Sequence, residues 1–208
     1  VKLILNHNFG EGFTAGGAVS NTLWCDYIYL DTDECRRFAQ VSHEYLIEQI
    51  QEQTLTTPAG TNDLNFNHPV KELIWTQSFT TGQLGVVGGH TTSAGLTGST
   101  TFQLKLNGHD RFAARDYRYF TRTQVWEHHS GAGGLNASGS RGTGKHDDSI
   151  GVYSFALKPE EHQPSGTCNF SRIDNAQLIG GSRIDTVFAV NYNVLRIMSG
   201  MGGLAYSN

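Results

Sequence analysis

Charge is scarce in this 208-residue chain: 16% of residues are Asp, Glu, Lys or Arg, and 15 basic against 19 acidic side chains leave a formal balance of −4. No basic surplus exists to neutralise a phosphate backbone, which argues against a primary role in binding nucleic acid. Cysteine is equally sparse. Cys25, Cys35 and Cys168 form neither an even disulfide framework nor a C-x-x-C pair, and read as reduced thiols in a cytoplasmic setting. No apolar run approaches the ~20 residues that cross a bilayer, and no signal peptide is visible. Without a secretory route, the sequons Asn136-Ala-Ser138 and Asn169-Phe-Ser171 read as chance matches rather than glycan sites. The initiator methionine is missing too: the chain opens on the strand-like "VKLILNHN" and is expected to continue a longer polypeptide.

What is abundant is glycine, 25 residues against an ordinary usage of ~7%, alongside 11% aromatics. That mixture suits short strands joined by tight turns. Period-two alternation supports it. "TFQLKLN" (Thr101 to Asn107) sets Phe102, Leu104 and Leu106 on one face. "GVYSFALK" sends Tyr153, Phe155 and Leu157 one way and Val152, Ser154 and Ala156 the other. "DTVFAVNYNVLRIM" groups Phe188, Val190, Tyr192 and Val194 opposite Asn191 and Asn193. "NTLWCDYIYLD" and "HPVKELIWTQ" are β-rich as well, the second placing Val70, Glu72 and Ile74 against Leu73 and Trp75, with Pro69 at a strand start or edge. Asp31 and Glu34 predict an N-cap and capping box ahead of a short helix carrying Phe38. "EYLIEQIQEQ" is made of helix-favouring residues, yet its β-rich surroundings decide for a strand. The glycine-rich stretches 82–100 and 128–148 predict long loops of the binding or interaction kind. The pattern predicts an all-β fold, an antiparallel jelly-roll β-sandwich with short helices in loops.

Candidate chemistries are few. A nucleophilic Cys168 needs a histidine base and an electropositive setting; His162 lies six residues away behind the turn-forming "PSG", so a small buried hydrophobe is the better reading. Metal candidates are His128, His129, His146, Asp147, Asp148, Glu160, Glu161 and His162. On a strand His128 and His129 would point to opposite faces, and the H-x-H pair that zinc or iron sites in jelly-roll enzymes use occurs nowhere. "GSRGTGKHDD" fails the phosphate-loop pattern at His146. The stretch "SFALKPEEHQPSGTCNFSRIDN" reads as a rigid corner. Pro159 and Pro164 end a strand and set a turn, Gly166 is free to take positive φ, and Glu160 or Glu161 pairs with Arg172.

Two long segments carry a resemblance. "SFALKPEEHQPSGTCNFSRIDNAQL" and "VFAVNYNVLRIMSGMGGLAYSN" closely resemble the major capsid proteins of nucleocytoplasmic large DNA viruses, the iridovirus, phycodnavirus and giant-virus proteins. "DYIYLDTDECRRFAQVSHEYLIEQIQ", "HPVKELIWTQ" and "LKLNGHDRFAARDYRYF" extend it along nearly the whole chain. The resemblance implies a double jelly-roll subunit of two eight-stranded sandwiches. Residues 1–208 would form the C-terminal jelly roll, with the natural C-terminus near Asn208 and the N-terminal roll missing. It implies a homotrimer forming a pseudo-hexagonal capsomer, contacts with neighbouring capsomers and minor capsid proteins, and an icosahedral shell over an internal membrane. The location implied is the virion, assembled in the host cytoplasm. It implies no catalytic residue, no metal, no cofactor, no small-molecule substrate and no direct contact with nucleic acid. Two rival readings remain. A carbohydrate-binding jelly roll would use Tyr117, Tyr119 and Trp126 as sugar platforms, and a cupin-like metalloenzyme is disfavoured by the missing H-x-H.

Overall fold

The computed structural model describes residues 22–55, 60–76, 101–131, 150–180, 184 and 186–206. A short helix α1 (Thr32–Gln40) precedes ten strands: β1 (His43–Thr54), β2 (Gly60–Asp63), β3 (Pro69–Thr76), β4 (Thr101–Leu106), β5 (His109–Asp116), β6 (Ile150–Ser154), β7 (Cys168–Asn169), β8 (Ala176–Gly180), β9 (Thr186–Met198) and β10 (Met201–Leu204). Between β5 and β6 a π-helical turn (Tyr119–Thr123) runs into α2 (Gln124–His128). The larger sheet has the order β1-β9-β3-β6, with β10 beside β9 and β7 beside β3; the smaller has the order β2-β8-β4-β5. Every pairing is antiparallel. The expected β-sandwich with short helices is present.

Two hairpins rest on residue pairs in the left-handed region. Asn107 (φ 52°) and Gly108 (φ 78°) join β4 to β5, and Ser199 (φ 53°) and Gly200 (φ 75°) join β9 to β10. Positive φ at both central positions matches the twist of the flanking strands. The Asn107 side chain does a second job, its Oδ1 accepting from Asp174 N (3.0 Å) and Asn175 N (3.2 Å).

The core lies between the sheets. Val70, Leu73 and Trp75 of β3, Tyr153 of β6 and Val187 and Ala189 of β9 face Phe102 and Leu104 of β4 and Leu178 of β8, with Phe120 entering from the π-helical turn. Trp75 packs 5.5 Å from Phe102 and 5.3 Å from Phe120, tilted or edge-on as ring quadrupoles favour.

Three sequence expectations change here. The face of β3 is broken by a register shift between Val70 and Glu72, which turns Val70 inward beside Leu73 and Trp75 rather than beside Glu72 and Ile74. On β9 the core face is Val187, Ala189 and Asn191, while Phe188 and Val190 are only half-buried on the other side. Trp75 and Leu73 pair with Val187 and Ala189, so bulk on one strand meets small side chains on the next. Strand β6 ends at Ser154, leaving Leu157 exposed.

Strand β1 settles the helix-or-strand question in "EYLIEQIQEQ". Its glutamines face inward and act as surrogate backbone. Gln51 donates to Asn67 O (2.7 Å) and accepts from Asn67 N (3.0 Å); Gln53 donates to Asp63 O (2.8 Å) and accepts from Asn65 N (2.8 Å). Gln51 also reaches Asn191 Oδ1 (3.0 Å), and Asn193 donates to Gln49 Oε1 (2.8 Å). The buried Asn191 and Asn193 are thus matched by β1, which is why polar residues occupy the inner face of β9. Gln51→Leu is expected to cost about 1–3 kcal/mol, since Asn67 is open to water and recovers its bonds there, whereas the fully buried Asn191 Oδ1 loses a donor that water cannot replace. Denaturant unfolding measures it, with faster amide exchange at Asn67 as the local signature.

Candidate functional site

The corner after β6 is where the sequence concentrates its carboxylates and histidines. Ser154 Oγ donates to Ala156 O (2.7 Å), and Phe155 N and Ala156 N both donate to Lys71 O (2.9 and 3.2 Å). Ser165 Oγ accepts from Lys158 N (2.9 Å), and Lys158 Nζ pairs with Glu161 at 3.0 Å. Gly166 sits at φ 152°, and a Cβ there would lie 2.6 Å from Phe155 O, so this reversal requires glycine.

The tripeptide His128-His129-Ser130 grips the corner. It ends helix α2, at the point where a long loop was expected to begin. His128 Nδ1 is 3.0 Å from Leu157 O and must carry the proton, because a carbonyl only accepts. His129 stands between two carboxylates, Nε2 2.9 Å from Glu72 and Nδ1 3.2 Å from Glu160. The contact with Glu72 has ion-pair distance without hydrogen-bond alignment. Ser130 closes the grip, its N and Oγ donating to Glu160 Oε2 at 2.9 and 2.5 Å. Glu160 and Glu161 are thereby committed to Ser130, His129 and Lys158, and the pairing with Arg172 expected from the sequence does not form.

These contacts set the protonation behaviour. The two Ser130 hydrogen bonds, helped by His129, hold the Glu160 carboxyl below its usual range. Burial pushes Glu72 up, opposed by His129 and Lys71. A carboxylate lowered on folding contributes stability above its unfolded value, and loses it as pH falls through the folded one. Acidification through and below the ordinary carboxylate range is therefore expected to loosen residues 157–162, seen as faster amide exchange there. Glu160→Gln is expected to remove that pH dependence.

One charged pair lies within the sandwich wall. Lys71 Nζ is 2.7 Å from Glu48 and 5.5 Å from the centre of the Tyr192 ring. The sequence reading did not single it out, although Lys71 inside the apolar "HPVKELIW" was the available signal for one of its members.

Among the described residues none of the candidate chemistries is assembled. Burial pushes the Cys168 thiol up, with Arg111 opposing weakly, so the thiolate is disfavoured. Among the described residues no group of three or more His, Cys, Asp or Glu side chains is placed so that it could hold a metal ion, the His129, Glu72 and Glu160 contacts included. His128, His129, Glu160 and Glu161 serve the corner, His162 is exposed, and His146, Asp147 and Asp148 fall outside the described residues. Of the three sugar-platform candidates Tyr117 is buried, Tyr119 lies under Arg115 at 4.3 Å, and Trp126 alone is exposed. The sequon at Asn169 is used structurally, its Oδ1 accepting from Ser171 N (3.1 Å) to start a 3₁₀ turn.

What the surface does present is apolar area, unevenly spread. Among the described residues seventeen large hydrophobic residues are exposed, and fourteen of them fall within 23–50 and 198–206. The pairing of β1 with β9, and of β9 with β10, brings Tyr45, Leu46, Met198, Met201 and Leu204 to one end of the larger sheet. Isolated exposed hydrophobes are ordinary; a concentration of this kind marks an interaction surface.

A jelly-roll sandwich whose polar residues tie corners together and whose exposed apolar residues lie mostly in two stretches belongs to the class of structural and interaction modules. The comparisons specify the class. Residues 34–180 match the profile of the large eukaryotic DNA virus major capsid protein family. The major capsid protein of Pyramimonas orientalis virus is 49% identical over 98% of this chain and 54% of its own length, and that of Paramecium bursaria Chlorella virus 1 is 39% identical over 98% and 58%. The subunit in a quasi-atomic model of the PBCV-1 virus capsid superposes with a TM-score of 0.65 at 35% identity, over 88% of this chain and 56% of that one. The chain belongs to this family of viral major capsid proteins, which are structural proteins and not enzymes. It spans just over half the length of these relatives.

Proposed function

We propose that the chain is the C-terminal jelly-roll half of a double jelly-roll capsid subunit, three copies of which close into a pseudo-hexagonal capsomer. The observation that carries this reading is similarity along 98% of the chain to two major capsid proteins, of which the match takes up only 54% and 58%. On this reading capsomers tile an icosahedral shell over an internal membrane, joined by minor capsid proteins, in virions assembled in the host cytoplasm. The chemistry is geometric: sandwich cores make rigid tiles, and no side chain acts as catalyst, metal ligand or cofactor anchor. Three-fold closure uses up the strongest contact, so growth proceeds only through the weaker contacts between capsomers. Permanent contacts inside the capsomer would bury upwards of ~2,000 Å². Light scattering on the full-length subunit tests this: a mass of three subunits is expected, and a stable monomer at every concentration would contradict it.

A further inference from the structure

Arg111, Arg115 and Arg118 fall within eight residues of one another, and each is held by a tyrosine. Arg115 lies over the Tyr119 ring, 4.3 Å from its centre. Arg118 lies 5.3 Å from the centre of the Tyr117 ring and donates from Nε to its hydroxyl (3.2 Å). Arg111 donates to the Tyr153 hydroxyl, on which the Arg115 charge also acts. The rings are fixed in their turn. Tyr117 and Tyr153 are buried, and the Tyr119 hydroxyl accepts from the buried Gln124 side chain at 2.9 Å. All three arginines are nevertheless exposed. A guanidinium laid over a ring uses its face there and keeps N–H groups at its edge for a planar acceptor. Holding it in advance also leaves less freedom to lose when an anion arrives. The acidic side chains of the stretch have local uses, Asp110 lying 3.8 Å from Lys105 and Asp116 Oδ1 accepting from Arg118 N at 2.9 Å.

The same stretch is a sheet edge. Strand β5 ends the smaller sheet, and among the described residues it pairs with β4 alone. The backbone groups along its other side are a template for an extended chain. Its register against β4 shifts twice, between Phe102 and Leu104 and between Leu104 and Lys105. Bulges re-aim side chains, and Arg111 and Arg115 both act on Tyr153 of the opposite sheet. Charge on an edge strand ordinarily keeps other strands away; this edge repels a basic strand and admits an acidic one. We propose that β5 and the π-helical turn after it form a docking edge for an extended acidic segment of a partner protein, which adds to β5 as a strand and sets its carboxylates on Arg111, Arg115 and Arg118. Nucleic acid and anionic lipid fit less well. Neither brings a peptide backbone to complete the strand edge, and the chain's balance of −4 opposes a polyanion. The edge belongs to this sandwich and does not depend on three-fold closure.

Fluorescence anisotropy on the full-length subunit tests the assignment, with a labelled peptide of alternating Glu and Thr and the matching peptide of Lys and Thr. Single-stranded DNA and vesicles containing anionic phospholipid serve as competitors. The acidic peptide is expected to bind, more weakly as salt is raised, and the basic one not to bind. Arg115→Gln and Arg118→Gln are each expected to weaken binding about tenfold, the worth of one hydrogen bond to a charged group. Amides of β5 are expected to exchange more slowly when the acidic peptide is bound, which marks strand addition. Failure of the acidic peptide to bind the unaltered subunit, or equal binding of the two peptides, would overturn the proposal. So would undiminished binding in the Arg115→Gln, Arg118→Gln double variant with its β3 amides still protected, or displacement of the peptide by DNA or vesicles. The mass of the subunit in solution, which tests the capsomer reading, is the same under either result.

Discussion

Trp75→Ala is expected to cost about 3–5 kcal/mol, the usual toll for removing a large aromatic from a core. The total stability of such a domain is only ~5–15 kcal/mol. Trp75 has no exposed surface, stands on a central strand and touches rings from the smaller sheet and the π-helical turn. It is therefore the side chain through which three elements meet. The hole has no easy collapse, because Phe102 and Phe120 already pack on each other at 5.7 Å. Gly151 gives the reciprocal test. It pairs with Trp75 across the strands, and a Cβ on it would lie 2.4 Å from the indole. Gly151→Val is expected to destabilise by overpacking, by about 1–3 kcal/mol or more. Combining it with Trp75→Ala should recover part of the loss, since the added methyls enter the vacated space. Denaturant unfolding at matched subunit concentration gives all three values; a Trp75→Ala cost below about 1 kcal/mol would show that the core is not organised around this residue.

The second large effect is an asymmetry. Lys71 is 4% exposed at its side chain and Glu48 is 35% exposed. Removing the carboxylate strands an ammonium group where water does not reach, whereas removing the ammonium leaves a carboxylate that water can solvate. Glu48→Ala is thus expected to cost about 2–3 kcal/mol, discounted from the full buried-pair value because Glu48 is partly solvated. Lys71→Met keeps the buried stem and is expected to cost about 1 kcal/mol or less. It also removes one of the charges that hold Glu72 down, so Glu72 should protonate at higher pH in that variant. Equal costs for the two substitutions would mean that the pair is solvated alike at both ends.

Much of the sandwich was legible because strand periodicity is local: Phe102, Leu104 and Leu106 alternate as their neighbours require. The cap at Asp31 and the turn at Gly166 were legible for the same reason, since a side-chain acceptor and a missing Cβ act within a few residues. Which face of β9 points inward was not. Phe188 and Val190 outweigh Ala189 in hydrophobicity, but the phase is set by pairing with Leu73 and Trp75 and by the Asn191 and Asn193 contacts with Gln51 and Gln49, all distant in sequence. The bulge at Val70 was hidden likewise. The corner was read as architecture from its own residues, yet its partners came from His128, His129 and Ser130, some thirty residues earlier. No spacing rule connects them. The Asn107-Gly108 dipeptide was a readable hairpin signal that the sequence reading passed over. "NTLWCDYIYLD" shows the converse. Its strand character is plain in the sequence, yet residues 22–30 lie outside every described helix and strand.

The claim at the centre of the account is that this chain is part of a shell built from copies of itself. Imaging purified virus particles at side-chain resolution tests it most directly. The account predicts shell density that accommodates this sandwich in three-fold clusters, with the Trp75 indole between Phe102 and Phe120 and His129 between Glu72 and Glu160. Shell density that fits a different chain throughout, with this one absent from the particle, would contradict it.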